Sequence, residues 1–193
     1  MLHVGLTGGL ASGKSFVGRA LADLGCFLIQ ADELGHQVIE PGGEAYEAVR
    51  ALFGTVDRKR LAAQVFADPD KLAQLNALVH PPVKAREKAL AEGFARKHPD
   101  GIVVTEAAIL VETGSYKNYD RLIVAVCRPE QQIERAMERD GASRGDVLSR
   151  LRRQMPLEEK VAYADFVIDT SGSKENTLRQ TQALYETLRK LKP

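Results

Sequence analysis

The sequence is short of cysteine, of net charge and of long apolar runs, and each shortage removes a class of protein. Only two cysteines occur, Cys26 and Cys127. Neither lies in a C-x-x-C or metal-spaced pattern, so a disulfide scaffold and a cysteine metal site are not expected, and both read as buried thiols. Lys and Arg total 27 against 26 acidic residues, a formal charge of +1. No whole-molecule field therefore draws the chain to nucleic acid or to anionic lipid, and any polyanion site has to be local. No stretch approaches the roughly 18 apolar residues of a membrane span. The start, Met1-Leu2-His3-Val4-Gly5-Leu6-Thr7, lacks the basic flank and apolar run of a signal peptide, so a cytoplasmic location is the expectation. Internal repeats and low-complexity segments are also missing.

What is present suits a folded α/β protein. The 193 residues, 44% apolar and 27% charged, are enough to bury roughly 70% of the unfolded surface. Five short, almost continuously apolar runs read as parallel strands covered on both faces: Leu2 to Thr7, Cys26 to Gln30, Ile102 to Glu106, Leu122 to Cys127 and Phe166 to Ile168. Between the first two, Phe16, Val17, Ala20, Leu21 and Leu24 recur at helical spacing and stop at Gly25, completing a β-α-β unit. From Glu33 to Asp100 runs a long segment of helical patterns, broken at Pro41-Gly42-Gly43, Phe53-Gly54 and His80-Pro81-Pro82. It is longer than a crossover needs and reads either as an inserted substrate-binding subdomain or as extra helices. A second excursion, Arg139 to Lys160, carries Arg139, Arg144, Arg150, Arg152 and Arg153 among nearly balancing acids. An amphipathic helix, Lys174 to Leu191, closes the chain with Leu178, Leu184, Tyr185, Leu188 and Leu191 on its apolar side.

The chemistry enters at Gly8-Gly9-Leu10-Ala11-Ser12-Gly13-Lys14-Ser15, which matches G-x-x-x-x-G-K-[ST] between a strand and a helix. Such a loop bends so that successive amides face phosphate oxygens at the positive end of the following helix. Gly8, Gly9 and Gly13 shape the turn, and Ala11, Ser12, Gly13, Lys14, Ser15 and Phe16 are the expected amide donors. Lys14 is placed to bridge the β- and γ-phosphates of ATP, and the Ser15 hydroxyl to complete the shell of a phosphate-bound Mg²⁺.

In an open α/β sheet ligands collect beyond the carboxyl ends of the strands, where Thr7, Asp32 and Glu106 stand. Asp32 has two readings: a carboxylate that orients an acceptor hydroxyl and takes its proton, or the N-cap of a helix over Glu33 to Ile39. Glu106 holds Mg²⁺ through water or is a solvated loop acid. The arginine-rich excursion is either a solvated helix face with i,i+4 pairs or a flap whose arginines neutralise a transferring phosphoryl group, Arg139 and Arg144 foremost and Arg150 next. His80 is a substrate contact or a structural histidine.

Together these residues resemble the dephospho-coenzyme A kinase family over nearly the whole chain. The likeness runs through Leu6-Thr7-Gly8-Gly9, Lys14-Ser15, Ala31-Asp32, Val38-Ile39-Glu40-Pro41-Gly42, Asp57-Arg58-Lys59-Arg60-Leu61, Val65-Phe66, Leu75-Asn76 and His80-Pro81. It continues through Leu110-Val111-Glu112, Arg139-Asp140, Arg150, Gln154, Ala164-Asp165, Val167-Ile168 and Gly172. The resemblance implies a P-loop NTPase fold like that of nucleoside monophosphate kinases. Its parts would be a core (1–32, 101–138 and 161–193), a coenzyme A subdomain (33–100) and a lid (139–160). It implies ATP and Mg²⁺ as the cofactors and phosphorylation of the ribose 3′-hydroxyl of dephospho-coenzyme A, with Asp32, Lys14 and Arg139 catalytic, Arg144 on the nucleotide, and Thr7, Asp32 and His80 on the acceptor.

Gln30, Ala108 and Thr170 depart from the family pattern, standing where aspartate, proline and asparagine are usual; none of these changes touches Lys14, Ser15 or Asp32. Other small-molecule P-loop kinases, for a nucleotide, shikimate or gluconate, share the phosphate loop. A nucleotide switch would carry a guanine-reading Asn-Lys-x-Asp, and Lys117-Asn118-Tyr119-Asp120 has the wrong order.

Overall fold

The computed structural model describes residues 1–65 and 68–191; Phe66, quoted above with Val65, lies outside them. In chain order the elements are β1 (Leu2–Gly8), α1 (Lys14–Asp23), β2 (Phe27–Gln30), α2 (Ala31–Gln37), α3 (Tyr46–Phe53), α4 (Arg58–Val65) and α5 (Pro69–Lys97). After these come β3 (Ile102–Glu106), a 3-10 turn (Ser115–Asn118), β4 (Arg121–Val126), α6 (Pro129–Asp140), α7 (Arg144–Leu151), α8 (Leu157–Val161), β5 (Phe166–Asp169) and α9 (Lys174–Leu188). The chain divides into two compact units, Met1–Ile29 with Phe94–Pro193, and Gln30–Gly93.

In the first unit the strands form one five-stranded sheet in the order β2-β3-β1-β4-β5, all parallel. Each neighbour is reached by a crossover, and the central strand β1 feeds the phosphate loop. Its register against β3 runs from Leu2↔Ile102 to Leu6↔Glu106, and against β4 from Val4↔Arg121 to Gly8↔Ala125. The apolar runs are unbroken because helices cover both faces: Val4, Leu6, Val103, Val104, Ile123 and Val124 are fully buried. The strand readings hold to within a residue or two at each end. The ladder extends to the polar residues Arg121 and Asp169 because its hydrogen bonds are made by the backbone, whatever the side chain.

In the second unit, Val38, Ala45, Val49, Phe53, Leu61 and Val65 form a core of their own, with Leu75, Leu78, Val79 and Val83 of α5 packed on it. Several of the family-like residues, Val38, Leu61 and Leu75, are thus packing residues, and Asp57 starts α4 by accepting from the Arg60 amide at 3.0 Å. The expected break at His80-Pro81-Pro82 is corrected, because α5 runs on through both prolines. An interior proline costs a helix about 3 kcal/mol through its missing N–H and its ring. Here Leu78 and Val79 before the pair and Val83 after it are all packed against one core, which holds the helix on course.

The C-terminal helix also needs a correction. Leu178, expected on the apolar side, is 46% exposed, whereas the buried stripe of α9 is Thr177, Thr181, Leu184 and Leu188. The two threonines satisfy their hydroxyls on the carbonyls one turn back, Ser173 and Thr177, and so pass for apolar residues. It follows that Leu178→Lys will change the urea midpoint little, within about 0.5 kcal/mol. Leu184→Ala will cost about 2–5 kcal/mol in the same measurement; a reversed order would return the helix to the first reading.

Candidate active site

The loop between β1 and α1 can be followed by asking where each of its carbonyls goes, since amides facing a phosphate leave carbonyls facing the protein. The Gly8 carbonyl accepts from Lys160 Nζ at 3.4 Å and the Leu10 carbonyl from Gln132 Nε2 at 2.8 Å. The Ser12 carbonyl accepts from Thr170 Oγ1 at 2.8 Å. Within the loop, the Ser12 amide donates to the Gly9 carbonyl at 3.2 Å, and the Phe16 amide to the Gly13 carbonyl at 3.0 Å. The Cys127 thiol lies 4.0 Å from the Ala11 carbonyl.

Ser12 and Phe16, both expected as phosphate donors, therefore spend their amides on closing the loop and the first turn of α1. Among the described residues the amides of Ala11, Gly13, Lys14 and Ser15 make no such bond, and α1 begins without a side-chain cap. Four unspent donors at a helix N-terminus form an anion cradle. The backbone is bent to make it. Ala11 has φ 53°, an uncommon value for a residue with a side chain, and Gly13 has φ 86° with Thr170 so close that a Cβ would meet its hydroxyl at 2.8 Å. At Gly9 a Cβ would come within 2.4 Å of Gln132 Nε2, so the glycine leaves room for the side-chain amide that serves the Leu10 carbonyl. Leu10 anchors the loop by packing with Ile133, Ala136 and Val147, and its amide donates to Gln154 Oε1 at 2.8 Å.

Beside the cradle, Ser15 Oγ donates to Glu106 Oε1 and Lys14 Nζ lies 3.8 Å from the same oxygen. Glu106 closes β3 and is 4% exposed, so the solvated-acid reading is corrected: register with Leu6 on β1 carries it beneath the loop. Thr7 is fully buried and donates its hydroxyl to the Ala108 carbonyl at 3.2 Å, which leaves that proton unavailable to an acceptor. Ala108, the position lacking the usual proline, matters here through its carbonyl. Thr170, in place of the usual asparagine, ties Ser12 to α6, because Arg135 donates to its hydroxyl at 3.1 Å and to its carbonyl at 2.8 Å.

Three arginines of the second excursion, Arg139, Arg144 and Arg150, are ion-paired, though not at i,i+4. Arg139 Nε lies 2.7 Å from Asp140, and Arg150 reaches the same carboxylate across the α6–α7 turn. Arg144 lies 2.6 Å from Glu130. Hydrogen bonds from Arg139 first, then Arg150, hold the Asp140 carboxyl well below the usual carboxylate range.

Asp32 and His80 belong to the second unit. Asp32 is exposed in the first turn of α2. The N-cap reading is corrected, since the cap is Gln30 and makes no side-chain cap bond; the helix starts two residues earlier than the pattern suggested. Burial, reinforced by Lys84, pushes the His80 imidazole below its ordinary value. Gln132 and Lys160 were missed. Their signal was a polar residue on the inward stripe of an amphipathic helix, beside Ile133 in α6 and three residues after Leu157 in α8.

A parallel sheet in this order, with an anion cradle after its central strand and a Lys-Ser pair facing a buried carboxylate, defines a P-loop phosphotransferase. Comparison with known proteins narrows the class. The sequence model of the dephospho-CoA kinase family matches residues 2–176. A dephospho-CoA kinase of Aquifex aeolicus is 41% identical, with 97% of this chain and 98% of that protein covered. One from Geobacter metallireducens is 42% identical over 96% of each. Among solved structures, a Thermus thermophilus protein superposes with a TM-score of 0.83 at 34% identity, covering 100% of this chain and 98% of that one. The dephospho-CoA kinase from Campylobacter jejuni superposes with a TM-score of 0.69 at 25% identity, covering 97% of each chain. The chain belongs to the dephospho-CoA kinase family.

The Asp140 clamp has a pH signature. A carboxyl whose folded-state pKa lies below its unfolded value favours the fold above about pH 4 and loses that contribution as the pH drops through the lowered value. Asp140→Asn will therefore unfold at lower urea than wild type at pH 7, with the two midpoints converging as the pH falls below about 4; a gap independent of pH would refute the clamp.

Proposed function

We propose that this chain transfers the γ-phosphoryl group of ATP to the ribose 3′-hydroxyl of dephospho-CoA, giving CoA and ADP, the closing step of CoA biosynthesis. The observation that carries the proposal is the family match along 2–176, joined to a loop whose unspent amides and Lys14 converge on one anion site. The amides of Ala11, Gly13, Lys14 and Ser15 bind the phosphates, and the Lys14 ammonium offsets charge on the β,γ-bridge as the γ-phosphoryl group leaves. On closure of a lid over 139–160, Arg139 and Arg144 exchange Asp140 and Glu130 for the phosphates and add their charge to that of the loop.

The residues fit Mg²⁺. Ser15 Oγ and Glu106 Oε1 meet at one point, hard oxygens of the kind this ion takes. Among the described residues no cluster of three His, Cys, Asp or Glu is found, as suits an ion whose other ligands are phosphate and water. Ser15 would hold it directly and Glu106 through water; when bound it supplies charge neutralisation and a template for the triphosphate.

The acceptor side is read in a subdomain over 33–100 and in Asp32 just before it. The Asp32 carboxylate is exposed, has no hydrogen-bonding partner among the described residues, and follows β2 by two positions. It orients the 3′-hydroxyl and accepts its proton at a carboxylate oxygen, which leaves the hydroxyl oxygen to attack phosphorus in line. His80, neutral near pH 7, contacts the acceptor by hydrogen bonding. No helix among the described residues is long and apolar enough to cross a membrane, and a cytoplasmic location suits a kinase of small metabolites.

With Mg²⁺ and ATP, purified protein will release ADP only when dephospho-CoA is added, and mass spectrometry will find CoA as the second product. Equal turnover on adenosine or shikimate would overturn the assignment. Lys14→Ala and Asp32→Asn will each lower kcat by on the order of a hundredfold. Near-normal turnover by Asp32→Asn would remove the base role.

A further inference from the structure

Lys160, in α8, is fully buried. Its amine has three hydrogens and three acceptors: Glu112 Oε1 at 2.7 Å, the Ala108 carbonyl at 2.8 Å and the Gly8 carbonyl at 3.4 Å. The acceptors lie in two places, Gly8 in the phosphate loop and Ala108 and Glu112 in the stretch after β3. Gly8 is the first residue of the phosphate loop. Ala108 lies in the turn after β3 and also receives the Thr7 hydroxyl. Glu112 also accepts the Met155 amide at 3.2 Å, on the segment that leads from α7 into α8.

Stability does not account for such a residue. A buried ion pair recovers little more than its desolvation cost, and apolar groups of the same volume commonly serve as well or better. An apolar residue would leave the Gly8 carbonyl without this donor, however, and that carbonyl must face away from the phosphates if the amides beyond it are to face inward. We infer that Lys160, braced by Glu112, is a positioning residue for the phosphate loop: it holds the Gly8 carbonyl outward and fixes the start of the loop to the turn after β3 and to the return of the 139–160 excursion. It touches neither substrate nor the transferred group. The inference rests on the reading of the loop as a triphosphate site, and its main readout, ATP affinity, is independent of the acceptor.

The variants are Lys160→Met, close in volume and uncharged, and Lys160→Met combined with Glu112→Gln, which removes the carboxylate that the first change strands. Calorimetric titration with Mg-ATP, urea midpoints and steady-state kinetics are measured on each full-length protein. The expected result for the folded variants is a Kd for ATP raised about tenfold or more, a lower kcat and an unchanged KM for dephospho-CoA. A merely structural pair would shift the urea midpoint and leave ATP affinity alone. Wild-type ATP affinity in Lys160→Met overturns the inference; should that protein not fold, wild-type affinity in the double variant overturns it. Wild-type protein that binds ATP tightly but leaves dephospho-CoA unphosphorylated would sink the proposed acceptor while leaving the affinity test of Lys160 intact.

Discussion

The structure turns on one constraint: a loop whose amides point at phosphate must point its carbonyls into the protein, and buried carbonyls need donors. The loop meets part of this demand internally, through the Gly9–Ser12 and Gly13–Phe16 bonds. The rest is met from outside, by Gln132 of α6, Lys160 of α8 and Thr170 after β5. These donors make the first unit one mechanical piece, since three elements that follow β4 in the chain close on a loop that follows β1. The uncommon φ of Ala11 is held by the same ties. Strain of this kind persists only where the surroundings over-determine it, and here the neighbouring carbonyls are fixed on both sides.

The parallel sheet serves that constraint. Order β2-β3-β1-β4-β5 puts β1 in the middle, with β3 and β4 beside it, so the loop leaves the sheet where support is available from both flanks. Through the β3 register Glu106 reaches Ser15 and Lys14. Through β4 and β5 come the crossover helix α6 and the Thr170 turn. Arg135 joins these two by bonding Thr170 at both its hydroxyl and its carbonyl. The departure at Thr170 is thus accommodated: a β-branched hydroxyl supplies the donor that the Ser12 carbonyl requires, and the adjacent arginine fixes its rotamer.

What could be read from sequence was what neighbouring residues decide. The strands showed as apolar runs because both faces are covered, and the phosphate loop showed because glycine, lysine and serine at fixed spacing carry its mechanism locally. The donors to its carbonyls stand 122 and 152 residues away for Gln132 and Lys160, and no local pattern announces such a pairing. Tertiary packing also overrode local rules at Pro81-Pro82, where a core holds α5 through two prolines. In α9 it did so at Thr177 and Thr181, whose back-bonded hydroxyls occupy the buried stripe that Leu178 leaves for solvent. Asp32 was placed correctly near a helix start, but one-residue arguments about caps depend on boundaries that sequence fixes only to within a few positions.

Charge follows the same logic of local satisfaction. A formal balance of +1 conceals a specific distribution, in which the arginines at 139, 144 and 150 each face a carboxylate. Lys160 faces Glu112 in the interior. Around the loop, positive potential therefore comes from the unspent amides at the start of α1 and from Lys14, itself 3.8 Å from Glu106. Potential made by fixed backbone dipoles and one ammonium acts over a few ångströms rather than across the molecule. A polyanion as small as a triphosphate is matched to that range.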